Sequence, residues 1–163
     1  GQLPLYYNSH NTSRPDPDKN VFNRYTSNYL EDSNEPLYPF GYGLSYTHFQ
    51  YDNMVLSSNV LKKGEKLTVS VIVTNKGNYD GCEVVQLYLH DIYADVVRPV
   101  KELKDFKRIF LKKGESREVR FVITEEDLKF YNSNLQYIYE TGDFEVMVGT
   151  NSRDVQSKTF FAE

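Results

Sequence analysis

A period of two runs from Leu67 to Thr74, with Leu67, Val69, Val71 and Val73 on one side and Thr68, Ser70, Ile72 and Thr74 on the other. Such a pattern marks a half-buried strand with one face turned to a core. Asn75-Lys76-Gly77-Asn78 supplies the turn that ends it. Val85, Leu87 and Leu89 share a face of the next strand, Cys82 to Asp91. A third runs from Arg98 to Leu111, where Val100, Leu103, Phe106 and Ile109 are candidates for burial without a clean period. Val119, Phe121 and Ile123 alternate again. Thr124-Glu125-Glu126-Asp127-Leu128 has the S/T-x-x-D/E form of a helix start, which predicts a short helical turn to Tyr131. Strands at Leu135–Thr141, Asp143–Gly149 and Gln156–Phe161 complete the series. Short strands, each bounded by turns, predict an all-β antiparallel sandwich of the immunoglobulin-like kind.

The pattern changes at Phe49, where the period of two begins. Residues 6 to 36 carry few strand or helix signals, and Asn11-Thr12-Ser13-Arg14-Pro15-Asp16-Pro17-Asp18 reads as loop. Phe22, Tyr25, Tyr29 and Leu30 are either contacts to another domain or scattered aromatics on a tail. Between the two parts lies Leu37-Tyr38-Pro39-Phe40-Gly41-Tyr42-Gly43-Leu44-Ser45-Tyr46-Thr47. Pro39 fixes its own φ and extends Tyr38, while Gly41 and Gly43 permit bends that a Cβ forbids. Tyr38, Phe40, Tyr42 and Tyr46 can bury rings along it, so the stretch reads as a packed connector. The domains are therefore drawn as 1–36, an attachment segment, and 37–163, the sandwich. Leu61-Lys62-Lys63-Gly64-Glu65 recurs as Leu111-Lys112-Lys113-Gly114-Glu115. Two copies do not make a repeat architecture; the same turn chemistry used twice is the reading.

Composition narrows the function. With 163 residues and a net charge of −4 there is no electrostatic footprint for nucleic acid. No long apolar run predicts a membrane span, and Gly1-Gln2-Leu3-Pro4 has no signal-peptide pattern. The missing initial Met fits an excised fragment or a processed product. A single cysteine, Cys82, excludes an internal disulfide and a thiolate zinc cage.

Candidate chemistry is sparse. Glu125, Glu126 and Asp127 offer paired carboxylates, but the start of a helical turn is where acidic residues favour the dipole and stay solvated. No apolar pocket is placed to separate their pKa values as glycosidic acid–base work requires. Asp16-Pro17-Asp18-Lys19-Asn20 imitates a calcium loop, yet Val21 stands where the glycine belongs and Ser27 where the bidentate Glu should be. His10, His48 and His90 have no ligand spacing, so no metal is expected. Gly41-x-Gly43 lacks the third glycine of a dinucleotide site and leads to a strand. What remains is sugar binding through aromatic faces: Tyr88, Tyr93, Tyr131, Tyr137 and Tyr139 are candidates for a platform. Trp is absent, however, and Tyr is an ordinary strand-surface residue.

Leu37 to Phe49 resembles the signature that opens the C-terminal fibronectin type III-like domain of family 3 glycoside hydrolases, the β-glucosidase and β-xylosidase family. Gly1-Gln2-Leu3-Pro4-Leu5-Tyr6-Tyr7-Asn8 resembles the end of that family's preceding α/β domain. Val84-Val85-Gln86-Leu87-Tyr88-Leu89, Arg98 to Lys104 and Gly142 to Gly149 resemble its later strands. The resemblance implies a fibronectin type III-like sandwich without catalytic residues, since the family's nucleophile Asp and acid/base Glu lie in upstream domains. It implies no organic cofactor, a parent that releases terminal β-linked glucose or a related sugar with retention, and a periplasmic or secreted location. The catalytic domains of the same polypeptide become the expected partner, with Tyr38, Pro39, Phe40, Gly41, Tyr42, Gly43, Leu44 and Tyr46 as interdomain packing residues. The alternative is a carbohydrate-binding module using Tyr88, Tyr93, Tyr137 and Tyr139.

Overall fold

The computed structural model describes residues 6–10 and 35–163. Its elements are β1 (Phe49–Leu56), β2 (Val60–Leu61), β3 (Leu67–Asn75), β4 (Gly81–Asp91), β5 (Glu102–Leu111), β6 (Ser116–Ile123), α1 (Glu125–Leu128), β7 (Phe130–Tyr131), β8 (Tyr137–Ile138), β9 (Gly142–Gly149) and β10 (Val155–Ala162). One sheet has the order β1-β3-β6 and the other β2-β10-β9-β4-β5, with β7 and β8 forming a small separate hairpin. All pairings are antiparallel except that of β2 with β10. The core lies between the two larger sheets. Val69, Val71 and Phe121 come from one, Val85, Leu87, Val146 and Val148 from the other, and Phe144 stacks on Phe160 at 5.7 Å between centroids. Strict alternation on β3, β6 and β4 made these positions predictable, because a pleated strand sends every second side chain inward.

Several local expectations are corrected. The period of two is read from Phe49 but the first strand is assigned only from Leu67, and β1 and β2 precede it. A bulge between Asp52 and Val55, with Asn53 at φ 52°, breaks the sequence parity of β1. In the Arg98–Leu111 stretch the strand begins only at Glu102, and its register shifts opposite Leu87 and Tyr88. Phe106, a candidate for burial, consequently lies on the outer side. β5 is a sheet edge, and its Lys104, Asp105, Lys107 and Arg108 oppose edge-to-edge association. The helical turn stops at Leu128 rather than Tyr131, because Lys129 is already extended and Phe130–Tyr131 pairs with Tyr137–Ile138. That pair is also all that forms of the strand predicted at Leu135–Thr141.

The acidic triplet builds the turn. The Asp127 carboxylate accepts the Thr124 backbone N–H at 2.8 Å and the Thr124 hydroxyl at 2.9 Å. Glu125 accepts the Gly64 N–H at 3.2 Å, and Glu126 pairs with Lys129.

The twin Leu-Lys-Lys-Gly-Glu stretches are the same turn. Glu65 N–H donates to the Lys62 carbonyl and Glu115 N–H to the Lys112 carbonyl, each at 2.9 Å. Gly64 and Gly114 have φ of 77° and 76°, the left-handed position of such a turn. Space around either glycine is open, so a substitution meets only the backbone penalty. Gly114→Ala is expected to cost about 1 kcal/mol. Urea denaturation would show it as a lower midpoint at unchanged slope.

Candidate functional site

On β4, Gln86 and Tyr88 point away from the core, on the outer face of the five-stranded sheet, and yet both are buried. Residues 6–10 and the connector cover them. The Tyr7 ring stacks on Phe40 at 4.2 Å and meets Tyr88 edge-on at 6.0 Å. Val100 N–H donates to the Ser9 carbonyl at 2.8 Å, and His10 bridges to Pro99. Arg98 holds the loop that carries Pro99 and Val100. Its guanidinium donates to Asp91 at 3.2 Å, to Glu102 at 2.8 Å and to the Leu128 carbonyl at 3.2 Å, and it lies 4.5 Å over the Phe130 ring. Burial pushes the Asp91 carboxyl up despite Arg98. At Glu102 burial acts the same way, but Lys104 and Arg98 more than offset it and hold that carboxyl below the usual range.

Gln86 is the anchor for the first half of the connector. Its Nε2 donates to the Gly41 carbonyl at 3.2 Å and to the Thr150 carbonyl at 2.7 Å, and its Oε1 accepts the Tyr88 hydroxyl at 2.5 Å. Ser152 N–H donates to the Phe40 carbonyl at 2.9 Å. Gly41 sits at φ 78°, and a Cβ there would come within 2.1 Å of Gln86 Oε1. Burial, and then the neighbouring Tyr7, push the Tyr88 hydroxyl up to about 12.

Asn75 is the anchor at the other end. Its Oδ1 accepts the Thr47 hydroxyl at 2.5 Å and the Gly77 N–H at 3.1 Å, while its Nδ2 donates to the carbonyls of Tyr79 at 2.8 Å and Leu111 at 3.2 Å. Thr47 fits there because positions 77 and 81 lack side chains: a Cβ would lie 2.1 Å from Thr47 Oγ1 at Gly77 and 2.7 Å from Thr47 Cγ2 at Gly81.

Residues 42 to 46 form an arch between these anchors. Tyr42 N–H donates to the Pro39 carbonyl at 3.0 Å, and the Tyr42 and Tyr38 rings lie 5.3 Å apart. Pro39 is buried and Gly41 docked, but Tyr38, Phe40 and Tyr42 keep much of their surface exposed. Leu44 is 89% and Tyr46 95% exposed, and nothing lies within 4 Å of a Cβ at Gly43. The expectation that the connector buries its rings is therefore met only in part within this chain: the backbone is fixed and most of the rings face outward. Sequence reasoning singled out the arch but missed Gln86 and Asn75.

Of the five tyrosines expected to form a platform, Tyr131 and Tyr137 are the pair brought into ring contact. Tyr88 is fully buried and offers no ring face to a ligand. Tyr139 packs on the core, its hydroxyl donating to the Glu163 carbonyl at 2.7 Å. Tyr131 and Tyr137 pair on the β7–β8 hairpin with rings tilted by 42°, and Tyr93 stands exposed on another loop. His10 and His48 are exposed, and His90 Nδ1 lies 3.7 Å from Glu145. Among the described residues no group of three or more His, Cys, Asp or Glu is placed to hold a metal, and no helix is long and apolar enough to cross a membrane. The calcium-like run at 16–20 and the aromatics Phe22, Tyr25, Tyr29 and Leu30 lie outside the described residues.

Residues 83–152 match the fibronectin type III-like domain family. The chain is 48% identical to a periplasmic β-glucosidase of Salmonella typhimurium over 98% of its own length and 21% of that protein. It is 40% identical to a putative β-xylosidase of Formosa agariphila over 98% of itself and 20% of that protein. A crystal structure of a Listeria innocua β-glucosidase in complex with glucose superposes with a TM-score of 0.91 at 43% identity, covering 98% of this chain and 22% of that one. The chain thus spans about a fifth of the length of these relatives.

Proposed function

The chain is a fibronectin type III-like domain, with the segment leading into it, of the type at the C-terminal end of family 3 β-glucosidases, and on that premise we propose that it is a non-catalytic accessory module that packs against and stabilises the catalytic domains of its own polypeptide. The observation that carries this reading is the arch. Backbone hydrogen bonds, Gln86 and Asn75 fix it at both ends, yet it spends that rigidity on displaying Leu44 and Tyr46 to solvent. Large apolar side chains on a pre-ordered loop are the anchors of a packed interface. The module begins near residue 37, and the upstream segment enters beside the arch through Tyr7 and Ser9.

In this reading the nucleophile Asp and acid/base Glu lie upstream of residue 1. The parent hydrolyses terminal non-reducing β-D-glucosyl or related residues with retention, without an organic cofactor. The periplasmic relative supports a periplasmic or secreted location. The test is made in the full polypeptide. Leu44→Ala is expected to lower its stability by about 2 kcal/mol, the scale for burying a leucine side chain. The same change in a solvent-facing leucine would fall within about 0.5 kcal/mol of zero. Removing residues 37–163 and finding stability and glycosidase activity unchanged would overturn the proposal.

A further inference from the structure

The geometry points to a second contact surface for the same upstream domains: the outer face of β4 and β5 formed by Val84, Phe106 and Phe110. The inference rests on the accessory-module reading and extends it from the connector onto the sheet. Cross-strand pairs share a face, and here Cys82 pairs with Phe110, Val84 with Arg108 and Gln86 with Phe106. Gln86 and its alternating neighbours Val84 and Cys82 point away from the core, so Phe106, Arg108 and Phe110 do too. Phe106 is 61% and Phe110 49% exposed. Phe106, Val84 and Phe110 occupy successive cross-strand rows of this face, with Arg108 opposite Val84, and exposed apolar side chains grouped in this way mark a contact site.

Continuity names the occupant. Gln86, paired with Phe106, is the residue on which Gly41 docks, so the patch begins beside the docked first half of the connector. Tyr7, carrying the segment from the upstream side, lies over Tyr88, two residues further along the same strand. A body that packs on the rings of Phe40 and Tyr42 would therefore lie on the same outer sheet face as Phe106. The bulge and charges of β5 oppose strand addition at its edge, which leaves the face as the part available for contact. The relatives have about four-fifths of their length outside the matched part, ample for such a body.

The test is hydroxyl-radical footprinting of the full polypeptide, read by mass spectrometry and corrected for intrinsic side-chain reactivity. Tyr93 and Tyr131, exposed and belonging to neither the connector nor the patch, are internal standards. Phe106 and Phe110 are expected to be oxidised several-fold more slowly than the standards, at a rate independent of protein concentration. Oxidation at the rate their exposure in this chain dictates would overturn the inference, as would protection that appears only at high concentration, the mark of a second copy. If Leu44 and Tyr46 are protected while Phe106 and Phe110 are not, the sheet contact alone fails. If none of the four is protected, the accessory-module reading fails with it.

Discussion

Asn75→Ala is expected to destabilise the sandwich by about 3–4 kcal/mol, an unusually large loss for a polar substitution. The side chain is fully buried and makes four hydrogen bonds. Alanine deletes all four and leaves the Leu111 carbonyl with its partner gone in a dry site, at about 1–3 kcal/mol for an unsatisfied buried group. Water reaches the Thr47 hydroxyl and Tyr79 carbonyl more easily, so those losses are smaller. Asn75→Asp is expected to be no better: it keeps the acceptor for Thr47 and Gly77 but loses both donors and buries a charge against two carbonyl oxygens. Thr47→Val, which removes one hydroxyl, is the mild control at about 1 kcal/mol. Chemical denaturation checks the ranking. Hydrogen exchange checks the location, because the Lys76 N–H, bonded to the His48 carbonyl at 2.8 Å, should lose protection first when the arch comes loose.

These two polar anchors show why the site was only half visible in the sequence. Alternation on β3, β4 and β6 reports a periodic physical fact, one side of a strand in a core, and it survives in the one-dimensional pattern. Leucine, valine and phenylalanine positions were therefore readable. Asn75 occurs in Asn75-Lys76-Gly77-Asn78, where any asparagine signals a turn. Nothing local says that its amide reaches Leu111, 36 positions away. Gln86 falls on the polar side of its strand and reads as solvent-facing until the connector is laid over it. Tyr88 fails as a platform candidate for the same reason: its face of the sheet is outward, and the burial comes from Tyr7, 81 positions earlier. Phe106 was misplaced because a bulge changes parity without leaving a signature in residue type. The resemblance in Leu37–Phe49 pointed to the connector, but which residues hold it is a long-range property.

The second large effect is expected from Gly41→Ala, and it has a pH signature. At φ 78° alanine is strained by about 1 kcal/mol. Its methyl would also displace the Gln86 amide, which can swing aside only by surrendering its bonds to Gly41, Thr150 and Tyr88. At about 1 kcal/mol for each net hydrogen bond lost, these losses approach about 3 kcal/mol on top of the strain, and the first half of the connector lifts from the sheet. Tyr88 then gains water. Its hydroxyl, held at about 12 against an ordinary 10, is expected to fall toward 10 in the variant. The sign follows from linkage: a group whose pKa is raised by folding contributes stability that is whole below pH 10 and is lost as pH climbs through about 12. Wild type should therefore lose stability across that interval, and Gly41→Ala, starting lower, should show a smaller slope there. Tyr51 is the control. Burial and then Glu83, whose carboxylate accepts its hydroxyl at 2.7 Å, push it up as well. It packs against the core, is held chiefly by Glu83 and touches the Gln86 network only through Thr150, so it should hardly move. Spectrophotometric tyrosine titration that shows one late-ionising phenol shifting and another unmoved would place the connector on Tyr88 in solution. An unchanged titration in a folded variant would mean that Gln86 does not bind the connector there.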